Sequence, residues 1–384
     1  ANEYVPFTTQ DVGRVQREHP GTLADIGNWR DNYKLMLQLL PDRHRTANDH
    51  FLVSIVDEAH ALINPEHTDA RGQFGFAVNV GPQAYHIIRA STVSIFFLDP
   101  QQGFREREST DVDDIKRWAS ELGADFVGPI SLAGAQFRCG GSKEYVDWVD
   151  ALCLTRASQE TLGVREASAS YSAGVESVFK FSVFDNPLEM ENALREVIAL
   201  GHSARLVASY AREWKTGKVT NPHDLPDDMK DFVVPVRVEN DAKIWAKIWN
   251  HIPNKGANYT AFVRAPIGSP MHDDMLAEVG CPYVVRGFDF DYIGLLWLND
   301  LKWRNGKWVV DLDYVFETGL NRHKQRAQQE LSSDGHAHQA LIDKLFQAYR
   351  ILLTRAMRGV YVWFEDDETK RYVQGRYGSM FRSH

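Results

Sequence analysis

The stretch Phe51-Leu-Val-Ser-Ile-Val-Asp-Glu-Ala-His60 decides the reading of the fold. Its first six residues, apolar but for Ser54 and rich in β-branched side chains, predict a strand over Phe51 to Val56. That strand stops abruptly at two adjacent acids, Asp57 and Glu58. In an open parallel sheet, ligands bind outside the carboxyl ends of the strands, which puts both acids at an active edge. A first acid there can hold Mg²⁺ on nucleotide phosphates, and a second can orient the attacking water in phosphoryl transfer. The competing reading is a plain strand followed by an acidic helix start, and the neighbouring segments weigh against it.

Working outward, Thr92 to Leu98 predicts a second strand, which runs into Asp99-Pro-Gln-Gln102. An acid and an amide at that strand end could sense a γ-phosphate through Gln102, because an amide both donates and accepts hydrogen bonds. Pro100 also suits a simple turn. Further strands are expected at Ala204 to Ala208, Ile293 to Leu298 and Val360 to Phe364. Helices are expected at Asp113 to Leu122, Lys143 to Leu154, Pro187 to Leu200 and Ala340 to Met357. Alternation of this kind indicates an α/β architecture with a largely parallel sheet. One helix start is well signalled: Asn186 can cap, Pro187 fits the first helical position, and Glu189 completes a capping box.

The Ser-, Ala-, Gly- and Glu-rich stretch from Thr155 to Ser177 shows little apolar periodicity, so the boundary between two domains, 1–165 and 166–384, is expected there. Trp214 to Asp231 reads as a long surface loop. Asn321 to His338, rich in Gln, His and Ser, is expected to be mobile.

Composition bounds the function. The 384 residues carry 43 Lys plus Arg against 52 Asp plus Glu, a net charge of −9. A uniformly basic polyanion binder is thereby disfavoured, though a basic groove on an acidic body is not. The three cysteines form neither a disulfide framework nor a C-x-x-C pair, which argues against structural zinc. No run approaches the roughly 18 apolar residues of a membrane helix, and the first residues lack the pattern of a secretory signal, so a cytoplasmic protein is expected.

Two arginine segments follow, Gln136-Phe-Arg138 and Tyr349-Arg-Ile-Leu-Leu-Thr-Arg355-Ala-Met. Arginines aimed at a phosphate stabilise transition-state charge, whereas an isolated helical Arg is usually a solvated or salt-bridged side chain. Between them lies Val284-Val-Arg-Gly287-Phe-Asp289-Phe-Asp291-Tyr-Ile-Gly294. Gly287 permits close backbone approach, and Asp289 and Asp291 fall on one side of an extended segment. One of them could bond a ribose hydroxyl, and a loop before a buried strand is the plainer alternative.

In this order, these segments resemble the motifs of superfamily 1 helicases and, more closely, the Schlafen-group-3-like DNA/RNA helicase domain family. The resemblance runs from about Phe51 to Val373. It implies two RecA-like lobes with the nucleotide in the cleft between them, ATP and Mg²⁺ as cofactors, and DNA or RNA as partner. Residue by residue, it implies Asp57 as the Mg²⁺ acid, Glu58 as the catalytic acid and Gln102 as the γ-phosphate sensor near Asp99. Arg138 and Arg355 would reach the phosphates, Gly287 and Asp289 would lie near the sugar, and His60 would couple the site to the nucleic-acid groove. The phosphate-cradling pattern G-x-x-x-x-G-K-[ST] does not occur in the sequence. The first lobe is therefore expected to be incomplete, its loop lying upstream of Ala1. The alternative is a catalytically silent RecA-like interaction module that has lost the loop. A fused or partner nuclease fits motors of this kind, although Glu213-Trp-Lys215 is an isolated acid-x-Lys without a partner acid.

Other candidates read as structural. Lys302-Trp-Arg-Asn-Gly-Lys-Trp308 mixes cations and aromatics suited to nucleic acid, but Asn-Gly favours a hairpin turn. Trp245 and Trp249 share one face of a helix and are expected to pack there. His336 and His338 are expected to be solvated.

Overall fold

The computed structural model describes residues 17–18, 29–39, 50–67, 81–99, 110–130, 138–153, 179–238, 241–251, 269–285, 288–330, 332–333 and 335–381. The chain divides into two compact units, 1–131 and 132–384. The expected boundary stretch, 155–177, lies outside the described residues.

The smaller unit contains α1 (Trp29–Leu39), β1 (Phe51–Val56), α2 (Gln83–Ala90), β2 (Ser91–Phe96) and α3 (Val112–Glu121). Strands β1 and β2 run parallel, Phe51 opposite Ser91 and Val56 opposite Phe96. Ala84 and Ile88 of α2 and Ile115 and Trp118 of α3 form a core against Phe96 and Leu98. The alternate residues Val53, Ile55, Val93, Ile95 and Phe97 are exposed. Helix α3 starts where Asp111 accepts the Asp114 N–H at 2.8 Å, a cap that contributes about 1 kcal/mol.

The larger unit is built on α4 (Lys143–Cys153), β3 (Lys180–Phe184), α5 (Pro187–Ala199), β4 (Ala204–Ala208), β5 (Phe232–Val238), β6 (Asp241–Trp249), β7 (Glu278–Gly280), β8 (Phe290–Trp297), β9 (Leu301–Arg304), β10 (Lys307–Val310), α6 (Asn321–Gln329), α7 (His336–Thr354), β11 (Ala356–Phe364) and α8 (Asp367–Phe381). Seven strands form one sheet in the order β3-β11-β8-β4-β7-β6-β5. Every neighbouring pair is parallel except β5 with β6. The apolar run of β8 is central because both its faces are covered. On one face Met190 and Leu194 of α5 pack over Leu206 and Leu296. Gly294 leaves room for that contact, since a Cβ there would come within 2.5 Å of Leu194. On the other face Trp297 stacks on Tyr349 of α7 with ring centroids 4.1 Å apart. The Asn186 cap forms as expected, accepting the Glu189 N–H at 2.9 Å. Mixed α/β order around a mostly parallel seven-stranded sheet fits a RecA-like fold.

Four expectations are corrected. Residues 321–329 are the helix α6, and α7 begins at His336 rather than Ala340. Tertiary contacts supply what composition lacks: His323 and Ala327 are buried, and the Glu330 carboxylate accepts the N–H groups of Ala337 and His338 at the start of α7. His338 is buried beside that carboxylate rather than solvated. Trp245 and Trp249 lie on the strand β6, where a spacing of four also keeps two side chains on one face. Trp249 stacks on Phe232, and Trp245 Nε1 donates to Glu191 at 2.7 Å.

Candidate functional site

In the smaller unit, β1 and β2 end together. Phe97 N–H donates to Val56 O and Ala59 N–H to Phe97 O, both at 2.8 Å. The chain then turns sharply: Glu58 adopts a left-handed conformation at φ 54° and ψ 42°. For a residue with a Cβ this costs on the order of 1 kcal/mol and persists only where surrounding contacts enforce it. The Asp57 side chain supplies one such contact by accepting the Glu58 N–H at 2.9 Å. His60 supplies another. Its ring is buried, its Nδ1 accepts the Asp99 N–H at 3.2 Å, and its Nε2 lies 3.1 Å from Glu58 Oε2. Because Nδ1 is the acceptor, the proton of a neutral ring resides on Nε2 and is donated to the Glu58 carboxylate. His60 thus joins Glu58 to the end of β2, a structural bridge and not a solvent-facing contact. Asp57 is exposed, and Glu58 and Asp99 are half-buried. Gln102 lies outside the described residues.

In the larger unit the expected residues gather at the amino ends of β8 and β11. Arg138 Nε donates to Asp289 Oδ1 at 3.0 Å, immediately before β8. Two residues on, Asp291 Oδ1 accepts from Arg358 Nε at 3.0 Å, and its Oδ2 accepts the Ser203 N–H at 2.9 Å and hydroxyl at 3.1 Å. Burial opposes ionisation of Asp291, but the Ser203 N–H and hydroxyl and then Arg358 outweigh it and hold its carboxyl below the ordinary range. Ser203 and Arg358 escaped the sequence reading because the Ser203 to Asp291 contact spans 88 positions. The alternating acids were the only available signal.

Arg355 caps the end of α7 and is 3% exposed. The last carbonyls of that helix, which have no helical partner, are met by α4 and the loop before it. Tyr145 Oη donates to Leu353 O at 3.0 Å, and Cys139 Sγ to Thr354 O at 3.5 Å. The Arg138–Cys139 corner is thereby fastened to the Thr354–Arg355 corner. Burial pushes the Cys139 thiol up to about 12, leaving it neutral and inert. Gly287 lies outside the described residues.

Two further clusters are structural. His67, Asp111 and Asp114 bring three potential metal-ligand atoms within 4.8 Å. Asp114 is committed, however, to Asn64, His67 and Arg117 at 2.8, 2.9 and 2.7 Å. In the β9–β10 hairpin, Asn305 and Gly306 make the expected turn with φ of 53° and 79°. Trp303 stacks on Tyr372 at 3.5 Å, Trp308 is buried, and Arg304 and Lys302 are paired with Asp366 and Asp311. These aromatics and cations are taken up by packing.

The larger unit, with its mostly parallel seven-stranded sheet between helices, fits a RecA-like α/β protein. The chain belongs to the Schlafen group 3, DNA/RNA helicase domain family, whose model matches residues 24–366. That family implies a helicase-like function and interaction with nucleic acid. No curated protein matches the chain. No helix among the described residues is long and apolar enough to cross a membrane.

Proposed function

We propose that this chain is a nucleoside-triphosphate-hydrolysing DNA/RNA helicase or translocase. The observation that carries the reading is the pair of acids, Asp57 and Glu58, at the carboxyl end of β1, joined to Asp99 through His60. The donor set suits Mg²⁺, a hard cation that takes carboxylate oxygens. Asp57 is exposed, and its Oδ2 is uncommitted among the described residues. Mg²⁺ with ATP, when bound, supplies the phosphoryl group to be transferred.

The roles of the protein follow. Asp57 would hold the cation, while Glu58, turned by its left-handed backbone and oriented by His60, would accept a proton from water. By the resemblance, Gln102 and Asp99 would respond to the γ-phosphate, and Gly287 and Asp289 would lie near the sugar. Arg138 and Arg355 neutralise charge on the transferring group. Turnover is measured at saturating nucleotide.

The test is ATP hydrolysis with and without single-stranded DNA or RNA. Stimulated turnover that Glu58→Gln abolishes, with nucleotide binding retained, supports the reading. Equal turnover in Glu58→Gln and wild type overturns it.

A further inference from the structure

We propose that Tyr145 and Cys139 are positioning residues of the proposed hydrolytic site: by meeting the last carbonyls of α7, they hold Arg355 in fixed register with Arg138. The reaction they serve rests on the hydrolytic reading; the brace itself rests on the following geometry.

Each arginine departs from a corner of the chain that is itself fixed. On the first side, Gly141 N–H donates to Arg138 O at 3.0 Å and Ser142 N–H to Cys139 O at 2.9 Å. Cys139, Gly140 and Gly141 are all left-handed, with φ of 56°, 61° and 78°. A residue with a Cβ keeps that conformation only where its surroundings enforce it, and Cys139 is completely buried. Ser142 Oγ then accepts the Tyr145 N–H at 3.2 Å, which starts α4 directly after the turn. On the second side, Arg355 follows the last residue of α7 and immediately precedes β11.

Side chains of α4 and its turn join the two corners. A helix end leaves its last carbonyls without helical partners, and other groups must meet them. Here Leu353 O accepts from Tyr145 Oη at 3.0 Å and Thr354 O from Cys139 Sγ at 3.5 Å, contacts that span 208 and 215 positions. A third tie, from Arg350 Nε to Asp150 Oδ1 at 2.6 Å, lies farther along the same pair of helices. The Tyr145 ring also packs on Phe179 with centroids 4.4 Å apart, a contact that Phe would make equally well. The distinct contribution of the hydroxyl and the thiol is therefore direction. They fix the last turn of α7 relative to Arg138, and with it the point from which the Arg355 side chain departs. A guanidinium that neutralises charge on a transferring group depends on such placement, because an offset of about 1 Å can cost about 10²-fold in rate.

The test compares Tyr145→Phe, Cys139→Ala and Cys139→Ser with wild type, with circular dichroism confirming the fold of each variant. Hydrolysis of ATP with Mg²⁺ is followed in the presence of oligothymidylate or oligouridylate. Tyr145→Phe should lower kcat about 10- to 100-fold while KM for ATP stays within about 2-fold. Cys139→Ser, which keeps a donor, should recover most of the loss seen in Cys139→Ala. Tyr145→Phe should add nothing to the loss in Arg355→Ala, since a brace has no effect once the group it holds is gone. A wild-type kcat in Tyr145→Phe, or losses that add in the double variant, overturn the proposal and leave the hydrolytic reading intact. Hydrogen–deuterium exchange of peptides covering 351–358 reads the brace without turnover: exchange there should be faster in Tyr145→Phe, and exchange equal to wild type overturns the proposal whatever the rate. Faster exchange in a chain that hydrolyses no ATP supports the brace and rejects the hydrolytic reading.

Discussion

His60 Nε2 lies 3.1 Å from Glu58 Oε2 while the opposite nitrogen of the ring accepts the Asp99 N–H. One buried imidazole therefore fixes the direction of the acid after β1 and satisfies a backbone donor after β2. Replacing His60 by Ala removes the imidazole acceptor of that part-buried donor, at a cost of about 1 kcal/mol. Thermal or urea unfolding of His60→Ala should show this loss. His60→Gln, which offers both an acceptor and a donor, should recover part of it. Under the hydrolytic reading, turnover falls in His60→Ala by more than its nucleotide affinity does.

Arginine substitutions separate the two corners that α4 fastens together. Arg138→Ala and Arg355→Ala should each lower the stimulated hydrolysis rate by about 10³-fold or more if both stabilise transition-state charge. A rate within a few-fold of wild type in either variant rejects that residue's role. Arg358→Ala is the control. It removes an exposed pairing with Asp291, and such pairs contribute about 0–1 kcal/mol, so its rate should stay close to wild type.

What the sequence could disclose depended on how local the determining forces are. Strand β1 and its acids were legible because an apolar run stopped by two charges is a local pattern, and α5 because Asn186, Pro187 and Glu189 specify its start without outside help. Helix α6 was not legible: its sequence from Asn321 to Gln329 is almost wholly polar, and it is helical because His323 and Ala327 are buried against the rest of the unit. The period of Trp245 and Trp249 fits helix and strand alike, and pairing with β5 decides it. In the candidate site, Arg138 and Asp289 could be named singly, but their 3.0 Å contact spans 151 positions and needs the fold to exist.

Gly294 offers a test of packing at the centre of the larger sheet. A methyl group there meets Leu194 at 2.5 Å and Leu206 at 2.9 Å, atoms that are themselves enclosed by α5 and β4. Gly294→Ala should destabilise the protein by about 1–3 kcal/mol through overpacking. A denaturant midpoint at or above the wild-type value would show that α5 is free to shift away.

Asp300 makes stability depend on pH in a direction opposite to the surface carboxylates. It is buried, with Oδ1 accepting from Tyr349 Oη at 2.6 Å and from Leu301 N–H at 3.1 Å, and Oδ2 accepting from Ser209 Oγ at 2.8 Å. Burial raises its pKa more than the Tyr349 and Ser209 hydrogen bonds lower it, pushing it up to about 7 from the ordinary 3.8. The folded protein therefore binds a proton that the unfolded chain has released between about pH 4 and pH 7. The stabilisation from this group is fully present below pH 4 and is lost as pH rises through 7, with a maximum slope of about 1.4 kcal/mol per pH unit. Carboxylates held low, such as Asp291 and Asp274, slope the other way, so the informative quantity is the difference between wild type and Asp300→Asn. From pH 4 to pH 7 the wild type should lose stability relative to that variant, as read from urea unfolding at several pH values. Parallel profiles would mean that Asp300 is ionised throughout, its charge carried by the Tyr349 and Ser209 hydroxyls despite burial.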